Sequence, residues 1–150
     1  MQLSEINAYL PISEAIATAG QPTTEQLPLI QQAGFATVIN LALTTSTDAI
    51  PDEKERVEQL GMTYIHIPVE WEAPQVSDLE QFFEAVTASK TAPVFIHCAA
   101  NMRVSAFMYL YHRLRCQMPH EEAVVYLNQI WSPNSTWQAF IDQALQRSSP

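Results

Sequence analysis

Basic residues are scarce in this sequence: seven lysines and arginines stand against sixteen aspartates and glutamates, giving a formal net charge of −9. The seven are Lys54, Arg56, Lys90, Arg103, Arg113, Arg115 and Arg147, and they form no long run. Such a surface repels phosphate backbones and anionic headgroups, which excludes nucleic acid and polyphosphorylated lipid as expected partners. Cysteine is scarce too, with only Cys98 and Cys116. No apolar run approaches the ~20 residues that cross a bilayer. The opening Met1-Gln2-Leu3-Ser4-Glu5 lacks the basic and apolar blocks of a signal peptide. Together these absences predict a reduced, cytoplasmic chain with no membrane partner. Repeats, low-complexity tracts and linkers are also missing.

What remains is 150 residues, 47% of them apolar, which suits a single domain over residues 1–150 with one core. Strand-like and helical patterns alternate. That predicts an α/β fold of three layers, a mainly parallel sheet flanked by helices. Strand-like pieces fall at Ala8–Leu10 and Ala15–Ala19 and end at the turn Gly20-Gln21-Pro22-Thr23. A short helix is expected over Thr24–Ala33, closed by Gly34. Phe35–Leu43 reads as a central strand, and Pro51 opens a helix that closes at Gly61. Met62–Val69 alternates as a strand, and Ser77-Asp78-Leu79-Glu80 has the pattern of a capping box for a helix to Ser89. Val94–His97 is a buried strand. Helices over Arg103–Gln117, Pro119–Ile130 and from about Asn134 onward finish the chain.

The chemistry concentrates where that strand ends, in Val94-Phe95-Ile96-His97-Cys98-Ala99-Ala100-Asn101-Met102-Arg103-Val104-Ser105. A strand that runs through a short loop into a helix start presents backbone N–H groups and the positive end of the helix dipole to an anion. A thiol placed there and facing an arginine is favoured as thiolate, which makes Cys98 a candidate nucleophile. Arg103 offers a planar fork for two oxygens of a phosphate-like group. Neighbouring strand residues point to opposite faces, so His97 is expected to order the loop from beneath.

This loop resembles the phosphate-binding loop of cysteine-dependent protein tyrosine and dual-specificity phosphatases. Gly20-Gln21-Pro22-Thr23, Gly34-Phe35-Ala36-Thr37-Val38-Ile39-Asn40-Leu41 and Tyr64-Ile65-His66-Ile67-Pro68-Val69 are similar to the small bacterial branch, which also occurs fused to metallo-hydrolase domains. The resemblance spans Gly20 to about Leu114. It implies hydrolysis of a phosphomonoester, on a protein or a small molecule, through a phosphocysteine on Cys98 and without metal or other cofactor. It further implies Arg103 as the clamp, the Ala99, Ala100, Asn101 and Met102 amides as the cradle, and Ser105 as the hydroxyl that helps the cysteine leave. The general acid falls to Glu72, beside Trp71 and before Pro74 on a loop expected to be mobile, with Glu70 second. Asp78 reads instead as a first-turn helix residue.

Two departures from the family pattern stand out. Four residues separate Cys98 from Arg103 where the family has five, as the small bacterial branch also shows, and Asn101 replaces the usual glycine. Asparagine is the next-best residue for a left-handed backbone position. Two other readings stay open: a rhodanese-like sulfurtransferase carrying a Cys98 persulfide in its shorter loop, and a module that binds phosphate or a protein without turnover. His112 and Cys116, four apart on one helix face, imitate metal-ligand spacing with His66 or His120. Their apolar surroundings assign them to the core and rim, and no metal site is expected. Trp131 and Trp137 are expected to be structural, near the site. The oligomeric state is left open by the sequence.

Overall fold

A computed structural model of the chain describes residues 1–89 and 91–147. A 3-10 turn at Leu3–Glu5 precedes five strands: β1 (Leu10–Pro11), β2 (Ile16–Ala19), β3 (Thr37–Asn40), β4 (Thr63–His66) and β5 (Val94–His97). The helices are α1 (Leu27–Gln32), α2 (Glu53–Gln59), α3 (Val76–Ala88), α4 (Met102–Arg115), α5 (His120–Ile130) and α6 (Ser135–Arg147). The sheet order is β1-β2-β5-β3-β4, parallel throughout except for the antiparallel edge strand β1. The fold is therefore the expected α/β architecture.

The central strands are buried on both faces, and their alternation sorts side chains between two cores. Ala17, Val38 and Phe95 join Leu27, Ile30 and Val57 on the side of α1 and α2. Ile39, Val94, Ile96 and Cys98 face Leu79, Phe82, Phe107, Leu110 and Trp137 on the side of α3, α4 and α6. The middle of α4 is buried all round, from Val104 to His112, as expected of a helix enclosed by its neighbours.

Register matters most for function. Ala19, His97 and Asn40 stand level across the three central strands, and His66 stands level with Asn40. The chain therefore leaves all four strands side by side. Further bonds hold the first residues past the ladder: Cys98 N–H donates to the Ala19 carbonyl (3.3 Å), Leu41 N–H to His97 (2.9 Å) and Ile67 N–H to Asn40 (2.9 Å).

Several boundaries differ from the sequence reading for local reasons. The predicted strand Phe35–Leu43 is a strand over Thr37–Asn40, and Leu41 and Ala42 beyond it stay buried in the core. The first helix is shortened to Leu27–Gln32, with Pro28 in its first turn where its missing N–H costs nothing. The capping box at Ser77–Glu80 does not form. Helix α3 already begins at Val76, and the side chain of its cap residue Gln75 donates back to Ala73 O (3.2 Å) rather than capping the helix, so Ser77 lies inside it.

Candidate active site

Cys98 follows β5 directly and is fully buried. The loop after it is fastened by its carbonyls. Ala99 O accepts from Gln21 N–H (3.0 Å) and from Asn7 Nδ2 (3.4 Å), and Asn101 O accepts from Ser105 N–H (2.8 Å) as α4 begins. The amides of Ala99 and Ala100 donate to no backbone carbonyl among the described residues. Those of Met102 and Arg103, first in α4, have no acceptor within the helix. The segment thus exposes N–H groups, not carbonyls, to whatever occupies it, the polarity an anion requires. Gly20 lines the other side. A Cβ there would lie 2.6 Å from Ala99 O and 2.7 Å from Asn7 Nδ2, so only glycine fits against the loop.

Arg103 sits in the first turn of α4, half-buried, with its guanidinium carbon 5.4 Å from the centre of the Trp71 ring. Its Nε is buried and makes no hydrogen bond, and among the described residues it has no carboxylate partner. A half-buried guanidinium with a buried, unpaired Nε and no carboxylate partner, in a chain with excess acid, is a strong feature of an oxyanion site. Trp71 is itself held in place. Its ring packs 5.4 Å from Trp131 and 5.7 Å from Trp137, and its carbonyl accepts from Trp137 Nε1 at 2.9 Å. The loop that was expected to be mobile is therefore tied to α6. Glu70 and Glu72 flank Trp71 and are exposed, neither with a side-chain hydrogen bond or ion pair among the described residues.

His97 lies beneath the loop, as its strand parity demands, and is fully buried. Its Nδ1 is 3.2 Å from the Cys98 carbonyl oxygen and its Nε2 is 2.6 Å from Glu53 Oε2. Both partners are acceptors, so both contacts are hydrogen bonds when both ring nitrogens carry protons. Glu53 Oε1 accepts from Gln21 Nε2 at 2.9 Å. Burial pushes the Glu53 carboxyl upward, but the His97 hydrogen bond and charge, with the Gln21 amide, prevail and hold it below its ordinary value. Glu53 also lines a cavity of about 320 Å³ with Asn40, Tyr64 and His66.

Sequence reasoning did not single out Glu53. One signal was present: Glu53 is four residues before apolar Val57, so the two share the helix face that meets the sheet. Ser105 is buried in the first turn of α4, where its hydroxyl donates to Met102 O (3.0 Å) and accepts from Trp131 Nε1 (3.1 Å). His112 is buried with an unpartnered Nδ1, and burial pushes its pKa down. Cys116 is exposed. No group of three metal-ligating side chains occurs among the described residues, nor any helix long and apolar enough to cross a membrane.

Comparison with known proteins agrees with this geometry. A crystal structure of a phosphatase candidate (DUF442) from Shewanella putrefaciens CN-32 superposes with a TM-score of 0.87 at 37% identity, covering 99% of this chain and 97% of the other. P. aeruginosa TpbA shares the fold at 14% identity, with a TM-score of 0.73 over 96% of this chain and 92% of its own. The Beta-lactamase hydrolase-like protein of Agrobacterium fabrum is 30% identical over 95 residues, 61% of this chain but 22% of that longer protein. Residues 7–143 match the sequence profile of the family described as DSP-PTPase phosphatase fused to NAD+ kinase, and the chain belongs to that family.

Proposed function

We propose that this chain hydrolyses phosphomonoesters of tyrosine/dual-specificity type through a phosphocysteine on Cys98. One observation carries the reading: a buried cysteine at the end of the central strand leads through a loop whose Ala99 and Ala100 amides donate to no backbone carbonyl to a half-buried arginine that has no carboxylate partner among the described residues. In this scheme the Ala99, Ala100, Asn101 and Met102 amides and the Arg103 fork hold the phosphoryl oxygens. The Cys98 sulfur attacks phosphorus, the P–O bond to the leaving group breaks, and Glu72 supplies the proton that the departing oxygen takes up. Glu70 is the alternative donor. Water then attacks the phosphocysteine, releasing phosphate and returning the thiolate. His97 and Ser105 support the loop from below and behind, and no metal or cofactor enters. The substrate is a phosphorylated protein or small molecule. Within the superfamily we favour the small bacterial branch, supported by the identity to the Shewanella protein over nearly the whole of both chains.

The four-residue spacing favours one other activity, sulfur transfer through a Cys98 persulfide. Assay of para-nitrophenyl phosphate alongside thiosulfate and cyanide separates the two. Release of nitrophenol, abolished in Cys98→Ser and reduced at least a hundredfold in Arg103→Ala, is the expected result. Sulfur transfer without phosphate release overturns the proposal, and tungstate binding with neither turnover leaves a binding module. In the same assay Glu72→Gln should flatten the basic limb of the pH–rate profile, because a general acid must be protonated to act. An unchanged limb transfers the role to Glu70.

A further inference from the structure

Asn101 occupies the position where the backbone enters α4 with φ +66° and ψ 0°, a left-handed conformation. Glycine adopts that conformation more readily than asparagine. Backbone freedom alone therefore does not account for the residue present. Its side chain does. Asn101 is fully buried, and its Nδ2 donates to Ala8 O and to Thr18 Oγ1, both at 3.0 Å. Thr18 Oγ1 donates onward to Leu10 O at 2.8 Å, which fixes the hydroxyl oxygen as the acceptor for Asn101. Ala8 is itself left-handed, with φ +52°, so two non-glycine residues in a costly conformation face each other across one hydrogen bond. Alongside, Gly20 N–H donates to Asn7 O at 2.7 Å.

The same residue sets the start of α4, since its carbonyl accepts the first helical bond, from Ser105. Arg103 is two residues further on. Where α4 begins decides where that guanidinium stands against Trp71.

We propose that Asn101 is a positioning residue for the oxyanion clamp: its buried carboxamide nitrogen pins the shortened loop to residues 8 and 18 and so preorganises Arg103. This rests on the phosphatase reading above, and it assigns a task to a segment, Asn7–Ala8, that lies more than ninety residues from the loop in sequence.

Two substitutions separate the side chain's role from the backbone's. Asn101→Gly relieves the left-handed backbone and removes the anchor. Asn101→Asp keeps shape and conformation but sets an oxygen against two acceptors. If the residue served only its backbone conformation, Asn101→Gly would match the wild type. We expect instead that Asn101→Gly weakens tungstate binding and lowers kcat/KM for para-nitrophenyl phosphate by on the order of tenfold to a hundredfold, with Asn101→Asp at least as impaired. Measurement well below the unfolding temperature of each variant keeps this loss distinct from stability. Should either fail to fold, Thr18→Val removes one acceptor alone and is expected to cost a few-fold in tungstate affinity. Wild-type tungstate affinity and kcat/KM in folded Asn101→Gly, or unchanged affinity in Thr18→Val, overturns the positioning role while wild-type hydrolysis stands. A wild type that neither binds tungstate nor hydrolyses the ester overturns the phosphatase reading and this one with it.

Discussion

Glu53→Gln tests the most deeply placed carboxylate in the molecule. The substitution keeps an acceptor for Gln21 but removes the charge facing His97, and it is expected to cost about 1–3 kcal/mol at neutral pH. The sign with pH follows from the direction of the shift. Glu53 is held below its ordinary 4.5 in the fold, so its stabilisation is complete above that value and lost as pH falls through the lower native value. Denaturant unfolding of both proteins should therefore show a difference that is full at pH 7 and narrows below pH 4.5. A difference constant across that range would mean the carboxylate is not linked to His97 in solution. The residue also shows where sequence reading stops. In Asp52-Glu53-Lys54-Glu55-Arg56 every side chain is charged, and apart from its spacing to Val57 only the sheet beneath α2 distinguishes the buried one. His97, by contrast, was legible from strand parity, because the residue before Cys98 must point to the opposite face.

Among the elements, β5, α4 and the loop between them were legible because three signals coincide there: a short apolar run, a cysteine at its end, and an arginine five residues on at the start of a helical pattern. The segments that complete the site were not. Asn7 and Ala8 reach the loop because β1, expected at Ala8–Leu10 and found at Leu10–Pro11, turns back along β2, and local patterning does not specify that pairing. The loop carrying Trp71 read as free, yet it is fastened by an indole from α6, and such a bond between distant elements leaves no trace in local periodicity. Trp137→Phe deletes that bond and part of a fully buried ring, and should cost about 2 kcal/mol of stability. With Trp71 slackened, Arg103 loses its support, and KM for an aryl phosphate is expected to rise several-fold. Thermal unfolding together with steady-state kinetics checks both. A destabilised variant with wild-type KM would show that the α6 contact serves folding alone.

For the molecule as a whole, the excess of acid sets how an anionic substrate approaches. Three of the seven basic residues, Arg103, Arg113 and Arg115, lie on α4, and the remaining surface repels a phosphate ester at long range. Salt screens exposed charges beyond about 10 Å at 0.1 M but acts much less on the half-buried Arg103. Raising ionic strength from a few millimolar should therefore increase kcat/KM modestly for a multiply charged phosphopeptide, and less for para-nitrophenyl phosphate. A steep fall for both would mean that long-range attraction guides substrate to the site. One arrangement also makes the chain its own instrument. All three tryptophans, Trp71, Trp131 and Trp137, pack against one another, and one of them bears the Arg103 guanidinium. The intrinsic emission of this protein therefore originates beside the proposed oxyanion clamp, so occupancy should be measurable optically, without label or turnover, even in the Cys98→Ser protein expected to lack hydrolysis.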